Sequence, residues 1–336
     1  MAPDIVRTRA ARIASRVAGG RAIVATLVGL AIALARPALG EEPAPAGPPA
    51  VGAPEASVPV PADGPAHPGA PPSTDGLPAS ETKAKLAEDF SDPLTTLPQV
   101  FFQDIYTPSN YGTDAQANRV LARVIVPRIP KFSLLPFVQL IRPSFSLVTI
   151  PKGRGRGTRT EFGDMQLFDL AVIPWPSHET GFYMAAGPVF VFPTATYETA
   201  GQGAWQVGPA FGAIYKGIPG LLVGGLIQNP ISFAYTSDSR RPVSTLLIQP
   251  IFLAYIGHGF YVKSADSSFA VGWRRGEATT LPLSFGLGYV LLREGEPPLN
   301  FFVSGEWMAY RQFAPVAAQT TVRFGVTVAF PELSVW

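Results

Sequence analysis

The 336-residue chain contains no cysteine, and it has few charged residues. The lack of cysteine excludes a lipoprotein anchor and a disulfide framework. Charged residues make up 15% of the chain and apolar residues 47%, whereas about 25% charged residues is usual in soluble proteins. The net charge of +2 comes with no basic patch interleaved with aromatics, so a nucleic-acid partner is not expected. Beyond the N-terminal region, no apolar run approaches the ~20 residues of a membrane-spanning helix.

Histidine is also scarce, and this limits the chemistry. The three histidines are His67, His178 and His258, the last two in connections predicted to be short turns. No Gly-x-Ser-x-Gly motif occurs, and no His/Cys/Asp cluster has the spacing of metal ligands. We therefore predict no enzyme activity, no catalytic residues, no metal and no cofactor.

The N-terminal region predicts export. Residues 1–40 combine an arginine-rich start, an apolar run at 23–35 and small residues at Ala38 and Gly40 before Glu41. This is the pattern of a signal peptide, with a second candidate cleavage site at 33–35 and an uncleaved anchor as the alternative. Residues 41–80 are rich in Pro and Ala and predict a disordered linker, either a simple tether or a segment that crosses peptidoglycan. Residues 81–98 predict a short lead-in or plug segment.

The remaining residues, 99–336, alternate between apolar and small or polar side chains with the period of a β-strand. From 321 to 330, large apolar residues occupy the even positions, and small or polar residues, among them Arg323, occupy the odd positions. Eleven further segments show a related pattern. The segments lie near 99–107, 118–127, 137–148, 164–174, 181–194, 205–215, 221–235, 243–256, 259–273, 280–291, 299–311 and 321–330.

Short and longer connections between these segments alternate, as they do in outer-membrane barrels. The fold class predicted is therefore all-β: a transmembrane antiparallel β-barrel of about 12 strands behind the Pro/Ala-rich linker. A soluble β-sandwich is the alternative. Five prolines inside the strands predict bulges or bends, and slips of the alternation do so near 167–168 and 228–229. The prolines are Pro188, Pro209, Pro230, Pro250 and Pro282.

Several motifs add a family resemblance. They include Gly-Asp-Met-Gln-Leu-Phe-Asp at 163–169, Gly-Pro-Val-Phe-Val-Phe-Pro-Thr-Ala-Thr at 187–196, Gly-Ala-Trp-Gln-Val-Gly-Pro-Ala at 203–210 and Leu-Ile-Gln-Asn-Pro-Ile-Ser-Phe at 226–233. In these motifs the chain resembles a Gram-negative outer-membrane β-barrel family of transporters, some labelled neuromedin U-like, distantly similar to the phenol-degradation MetA-pathway family. The resemblance implies a membrane barrel with a transport role. The long Pro/Ala linker and the basic loop at 152–159 depart from that family.

Polar side chains on the predicted inward faces are candidates for lining a lumen. The candidates are Arg119, Arg123, Arg142, Gln166, Gln206, Gln228, Gln249, Glu306 and Arg323. An excess of arginine favours anionic or aromatic solutes. We predict a porin-like channel or transporter for small molecules, hydrophobic or aromatic ones among them. The alternative is a closed structural or surface-binding barrel whose interior groups satisfy one another.

Basic residues also gather in the longer loops, which are expected to face outside. They are Lys152, Arg154, Arg156, Arg159, Arg240, Arg241, Arg274 and Arg275. Guanidinium groups bind phosphate well, so we expect lipopolysaccharide as a partner; ordinary solvated loop charge is the alternative. The other expected partners are outer-membrane lipid, a small-molecule solute, and the barrel-assembly machinery through the C-terminal strand ending in Trp336. The expected location is the bacterial outer membrane.

Overall fold

The computed structural model describes residues 79–92, 94–95, 97–113, 115–128, 139–151, 158–172, 181–273 and 277–331. Its elements are helix α1 (Ala79–Ser91) and strands β1 (Gln99–Tyr111), β2 (Ala117–Arg128), β3 (Gln139–Pro151), β4 (Thr158–Phe162), β5 (Met165–Val172), β6 (Phe182–Phe192), β7 (Ala204–Ile218), β8 (Leu221–Gln228), β9 (Ile231–Tyr235), β10 (Thr245–Gly257), β11 (Phe260–Lys263), β12 (Phe269–Gly272), β13 (Thr279–Leu291), β14 (Leu299–Gln312) and β15 (Ala317–Ala329). No helix among these residues is long and apolar enough to span a membrane.

The strands form one closed antiparallel barrel. Each strand pairs with its neighbours in sequence, and the last strand, β15, pairs with β1 from Gln99↔Ala329 to Tyr111↔Ala317. The segments β4–β5, β8–β9 and β11–β12 each make one strand that is interrupted in its middle. The described residues therefore form a barrel of twelve strands, which confirms the predicted fold.

One end of the barrel carries tight turns, such as those at 219–220 and 258–259, together with the start of β1 and the end of β15. We call it the turn end. The opposite end, which we call the loop end, carries the connections at 193–203 and 236–244 and a short one at 313–316. The predicted alternation of short and longer connections is therefore only partly found, since ten residues separate β2 from β3 at the turn end. His258 lies in an exposed turn at the turn end, and His178 lies outside the described residues.

Side chains alternate between the two surfaces of the barrel wall. On β7, Val207, Phe211 and Tyr215 are exposed, whereas Ala210 and Ile214 between them are buried. The same alternation places large apolar side chains outward on most strands, and small, polar or charged side chains inward over part of the barrel height. The large outward side chains include Phe145, Val223, Ile227, Phe252, Leu283, Phe285, Leu287, Val303, Val322 and Phe324.

The strand prolines lie at defects of the hydrogen-bond ladder, because proline has no N–H to donate. Pro282 stands at a register shift, and Pro230 lies between β8 and β9. Pro250 faces the gap between β11 and β12, where Ser264 donates to its carbonyl oxygen. Pro209 likewise faces the gap between β8 and β9. It pairs with Pro188 without a register shift, so there is no bulge between β6 and β7 at this pair.

Glycines next to this proline pair allow close contact with the backbone of the adjacent strand. A Cβ at Gly208 would come within 1.7 Å of the Asn229 oxygen, and one at Gly187 within 2.1 Å of the Asp169 oxygen. The slip predicted near residues 167–168 is also misplaced. The interruption falls instead at Gly163–Asp164, between β4 and β5, where Asp164 accepts hydrogen bonds from the N–H groups of Ala195 and Gln202.

Helix α1 and the residues after it pack inside the turn end. Leu86, Ala87, Phe90 and Leu94 belong to one buried cluster with inward residues from strands all round the wall. Those wall residues include Ile125, Leu140, Phe168, Leu170, Ala185, Ala210, Ile214, Leu222, Leu226, Leu253, Val290 and Ala329. We call residues 79–97 the plug. It begins two residues earlier than the segment anticipated at 81–98.

We expect the plug to depend on its aromatic anchor. Phe90→Ala removes a large side chain from the buried cluster and should cost about 3–5 kcal/mol of docking. Phe252→Ala, which trims an exposed ring on the outer wall, is the matched control and should leave docking unchanged. The measurement is hydrogen exchange of the α1 amides in the folded barrel. Equal protection of α1 in both variants would contradict the described packing.

Candidate functional site: the polar interior of the barrel

Above the plug, toward the loop end, the interior is lined by charged and amide side chains. Arg123 on β2 is buried and donates from Nε to Ser144 Oγ at 3.3 Å. Its guanidinium lies 4.8 Å from the centroid of the Phe101 ring, which stacks on Phe302 at 5.8 Å. The arginine is therefore held by a hydrogen bond and by an aromatic face.

An ion-pair network lies on the neighbouring strands β14 and β15 and on β11 with the segment that follows it. Arg323 Nη2 lies 2.6 Å from Glu306 Oε2, and Ser267 donates a hydrogen bond to the same oxygen. Lys263 Nζ lies 3.5 Å from Asp266 Oδ1 and 4.6 Å from the centroid of the Phe302 ring. Both carboxylates are thus already engaged by cations of the wall.

Asp266 and Ser267 come from the segment 264–268, which interrupts the strand formed by β11 and β12. Sequence reasoning missed them and Lys263, because the segment was treated as part of a continuous strand. The signal was present: Ser-Ala-Asp-Ser-Ser at 264–268 contains no large apolar residue where alternation requires one.

The predicted glutamines are buried on the inner surface. Gln166 Nε2 donates to Gln228 Oε1 at 3.1 Å, which links β5 to β8 across the interior. Gln206 donates to Gln202 nearby, and Gln249 is buried as well. Contact of these glutamines with a solute stays a prediction.

The two remaining arginines differ in depth. Arg119 is half-buried near the loop end and, with Asp164 and Gln166, lines a cavity of about 30 Å³, roughly one water molecule. Arg142 lies deeper and is fully buried, its guanidinium 4.4 Å from the centroid of the Phe168 ring. The structure thus brings the nine predicted lumen residues to the inner surface of the barrel. Their contact with a solute stays a prediction.

Charge in this polar layer is not balanced. Among the described residues, its buried charged side chains are four cations and two carboxylates. The cations are Arg123, Arg142, Lys263 and Arg323, and the carboxylates are Asp266 and Glu306. In a low-dielectric interior, the excess positive charge favours anions.

A second charged group fastens the plug to the wall. Lys216 Nζ on β7 lies 2.5 Å from Asp92 Oδ2 and 3.6 Å from Asp89 Oδ1, and Asp92 Oδ1 accepts the Leu94 N–H at 2.7 Å. Glu88 accepts the Gly220 N–H at the adjacent turn. We call Lys216, Glu88, Asp89 and Asp92 the latch. The short connection predicted near 216–219 is found at 219–220, because β7 runs to Ile218 and carries Lys216 inward.

Burial raises the pKa of Glu88 from 4.5 to about 7, against the opposing effects of the Gly220 N–H and Lys216. The charge of Asp89 raises this pKa further, and that of Lys85 lowers it. Because the docked plug holds this proton more tightly than an exposed glutamate does, protonation stabilises docking. The stabilisation is complete below pH ~4 and is lost as the pH rises through about 7.

The loop arginines are only partly described. Arg159 pairs with Glu161 at 2.7 Å and stacks on Tyr197 at 4.2 Å. Arg240 donates to the Glu198 carbonyl oxygen at 2.9 Å. Arg241 is exposed, while Lys152, Arg154, Arg156, Arg274 and Arg275 lie outside the described residues. Arg159 lies on β4 and not in the predicted loop. Both Arg159 and Arg240 are engaged by other residues of the protein, and lipopolysaccharide binding stays a prediction.

No protein-family model matches the chain, and no curated protein matches it. Solved structures do match. An outer-membrane channel from Pseudomonas putida F1 is 12% identical with a TM-score of 0.46, over 77% of this chain and 99% of that one. The KdgM porin is 8% identical with a TM-score of 0.41, over 69% and 99%. The beta domain of the Bordetella autotransporter BrkA is 9% identical with a TM-score of 0.34, over 70% and 100%.

By name, the first of these proteins is an outer-membrane channel and the second is a porin. At these TM-scores the likeness carries no argument about this chain, so its function has to be inferred from its own surfaces. The family resemblance seen in the motifs stays a prediction. Among the described residues, no cluster of three or more His, Asp or Glu side chains could hold a metal ion.

The role of the latch in holding the plug can be tested without knowing the solute. In a Leu94→Cys background, the buried thiol reacts with a water-soluble maleimide only when the plug undocks. Lys216→Met leaves Asp92 buried without its cation, at a cost of about 3–5 kcal/mol, so labelling should be at least a hundredfold faster. Arg293→Met, which breaks an exposed pair with Glu296 at the same end, is the control. Equal labelling rates in the two variants would refute the latch.

The pKa of Glu88 makes a second prediction with the same probe. After correction for thiolate formation with the unfolded chain, labelling of the Leu94→Cys thiol should speed up between pH 6 and pH 8 as Glu88 ionises. Adding Glu88→Gln should reduce this dependence, because a neutral amide does not titrate. Part of it should remain, because burial also raises the pKa of Asp92 to about 7, against the opposing effect of Lys216. A pH profile identical in the two chains would show that Glu88 does not control docking.

Proposed function

We propose that this chain is a channel of the bacterial outer membrane that passes small solutes and that its plug gates. The observation that carries the proposal is a closed barrel with an apolar outer surface and a charged interior. Large apolar side chains exposed on most strands would make a soluble protein aggregate. In a lipid bilayer the same surface is the favourable one.

The dimensions agree with a membrane span. Strands such as β10 and β13 contain 13 residues, which at ~3.3 Å per residue and a tilt near 45° rise about 30 Å. That is the thickness of a bilayer's hydrocarbon core. Exposed aromatics lie toward both ends, with Trp273 and Tyr310 near the loop end and Phe182 and Tyr215 near the turn end. Such belts are usual at the two lipid interfaces.

The interior supports passage of a polar or anionic solute rather than a purely structural role. A closed structural barrel gains most from an interior whose charges cancel. The buried residues that the structure describes in this polar layer include two more cations than carboxylates. The plug closes the turn end in the described conformation. Passage therefore requires the plug to move, and the latch sets the cost of that movement.

Orientation follows the common rule for such barrels. Short turns face the periplasm and longer loops face outside, which puts the predicted linker on the periplasmic side, next to the plug. Export by the N-terminal signal peptide and insertion through the C-terminal strand belong to the same proposal. Trp336 lies outside the described residues.

Locking the plug tests the proposal. A Cβ at Gly212 would lie 3.0 Å from Leu94 Cδ2, so Leu94→Cys with Gly212→Cys places two thiols where a short, reducible cross-linker joins them. The parent chain has no cysteine and serves as the control. We expect discrete single-channel conductance in planar bilayers from the reduced variant, loss of it on cross-linking, and recovery on reduction.

The alternative, a closed structural barrel, predicts no conductance in either the cross-linked or the reduced state. A folded, heat-modifiable barrel that conducts neither before nor after reduction would reject passage through the lumen. Conductance that is the same with and without the cross-link would support a channel but would show that the plug does not gate it.

A further inference from the structure

Arg142 is a buried cation with no hydrogen-bond or ion-pair partner among the described residues. It is 0% exposed, and none of its Nε, Nη1 and Nη2 atoms has a hydrogen-bond partner within the described part of the chain. An ionised side chain removed from water is costly unless it is paired and hydrogen-bonded. Every other cation of the polar layer has a contact that offsets part of this cost: Arg123 donates to Ser144, Lys263 pairs with Asp266, and Arg323 pairs with Glu306.

The nearest acids do not supply the missing partner. The charge of Asp266 acts on Arg142, but this carboxylate is engaged by Lys263 at 3.5 Å. Glu306 accepts from both Arg323 and Ser267. Within the described residues, no carboxylate lies within ion-pair distance of Arg142.

The geometry of Arg142 restricts how a ligand approaches. One face of the guanidinium is covered by the Phe168 ring, 4.4 Å away at its centroid. The donors in the plane of the group remain, and this edge presents two parallel N–H bonds that match the two oxygens of a carboxylate.

Further donors converge on the same part of the interior. Ser144 is two residues from Arg142 on the same face of β3, and it holds Arg123. Gln166 is two residues from Phe168 on β5, and it binds the Gln228 oxygen. The Nε2 of buried Gln228 is itself without a partner among the described residues. Two guanidinium groups and an amide donor therefore lie around one region of the interior.

We infer that Arg142, supported by Arg123 and the Gln228 amide, is a binding site for the carboxylate group of a small solute, at the inner end of the polar layer. The carboxylate accepts two hydrogen bonds from the edge of Arg142 and neutralises part of the excess positive charge. The inference rests on the proposed function, because the solute reaches the site through the loop end of the channel. It adds the class of ligand: a carboxylate anion, not a neutral or cationic solute.

The test measures binding apart from passage. The full chain, folded in detergent in a low-salt zwitterionic buffer, is titrated with sodium acetate while its thermal unfolding is followed. We expect saturable stabilisation of the wild type, as for any ligand that binds only the folded state. Arg142→Gln should weaken acetate binding at least tenfold. It should also unfold at a higher temperature than the wild type without acetate, because an unpaired buried charge has been removed.

Two variants and two further anions sharpen the outcome. Arg142→Lys keeps the positive charge but loses the two parallel N–H donors of the guanidinium group. It should therefore bind acetate several-fold more weakly than the wild type. Arg293→Gln, at an exposed position, should bind as the wild type does. Sodium phosphate and sodium chloride at equal ionic strength separate a carboxylate site from a general anion site. Stabilisation that is equal for all three anions would overturn the carboxylate assignment.

Other results also decide the matter. Absence of saturable acetate binding to the wild type would overturn the site whether or not the variants fold. Binding that Arg142→Gln leaves unchanged would overturn it as well. If acetate binding depends on Arg142 but the barrel never conducts, the binding site is supported and passage through the lumen is rejected. Conductance through a barrel without acetate binding would keep the channel and reject the site.

Discussion

The pairing of β1 with β15 is the constraint on which the rest of the structure depends. In a bilayer, every backbone N–H and C=O must find a partner within the protein, and only closure removes the two free edges of a sheet. The register from Gln99↔Ala329 to Tyr111↔Ala317 achieves this over the height of the wall. Closure also explains the positions of the prolines. A missing donor is tolerated where the ladder is already interrupted, as at Pro230 and opposite Pro250.

Closure creates an interior that the wall alone does not fill. On β6 and β7 the inward positions facing the plug include Ala185, Ala210 and Gly212, all small. Leu94 packs directly over Gly212, where a Cβ would come within 3.0 Å of it. The small wall residues and the large plug residues, Leu86, Phe90 and Leu94, are therefore complementary. The plug provides the apolar filling of the turn end, and the polar layer lies above it.

The twelve strands were predictable because their signal is local. Period-two alternation assigns each side chain to a face without knowledge of any distant contact, which is why Arg123, Glu306 and Arg323 were placed inward from sequence. The ion pair of Arg323 with Glu306 was not predictable, because it depends on the register of β14 against β15.

The sequence-based predictions failed where the alternation of a strand is interrupted, or where a contact joins residues that are distant in the sequence. The segment 264–268 was treated as strand, so Asp266 and Ser267 were missed. Lys216 was assigned to a turn, although β7 extends to Ile218. The helix was anticipated as a lead-in or plug. The ion pair of Asp92 with Lys216, however, joins residues 124 positions apart, and no pattern within either segment encodes it.

The arrangement of arginines gives the interior a direction. Along the inward face, Arg119 near the loop end is half-buried, Arg123 is 2% exposed and Arg142 is 0% exposed. Attraction between opposite charges strengthens as water is excluded, so an anion entering from the loop end meets cations of increasing effective strength. The deepest one, Arg142, stacks on Phe168, which belongs to the apolar cluster around the plug. The polar layer therefore ends on the part of the wall that the plug covers. Anion binding at Arg142, as proposed, and docking of the plug would therefore both involve Phe168, without any need for a change in the barrel wall.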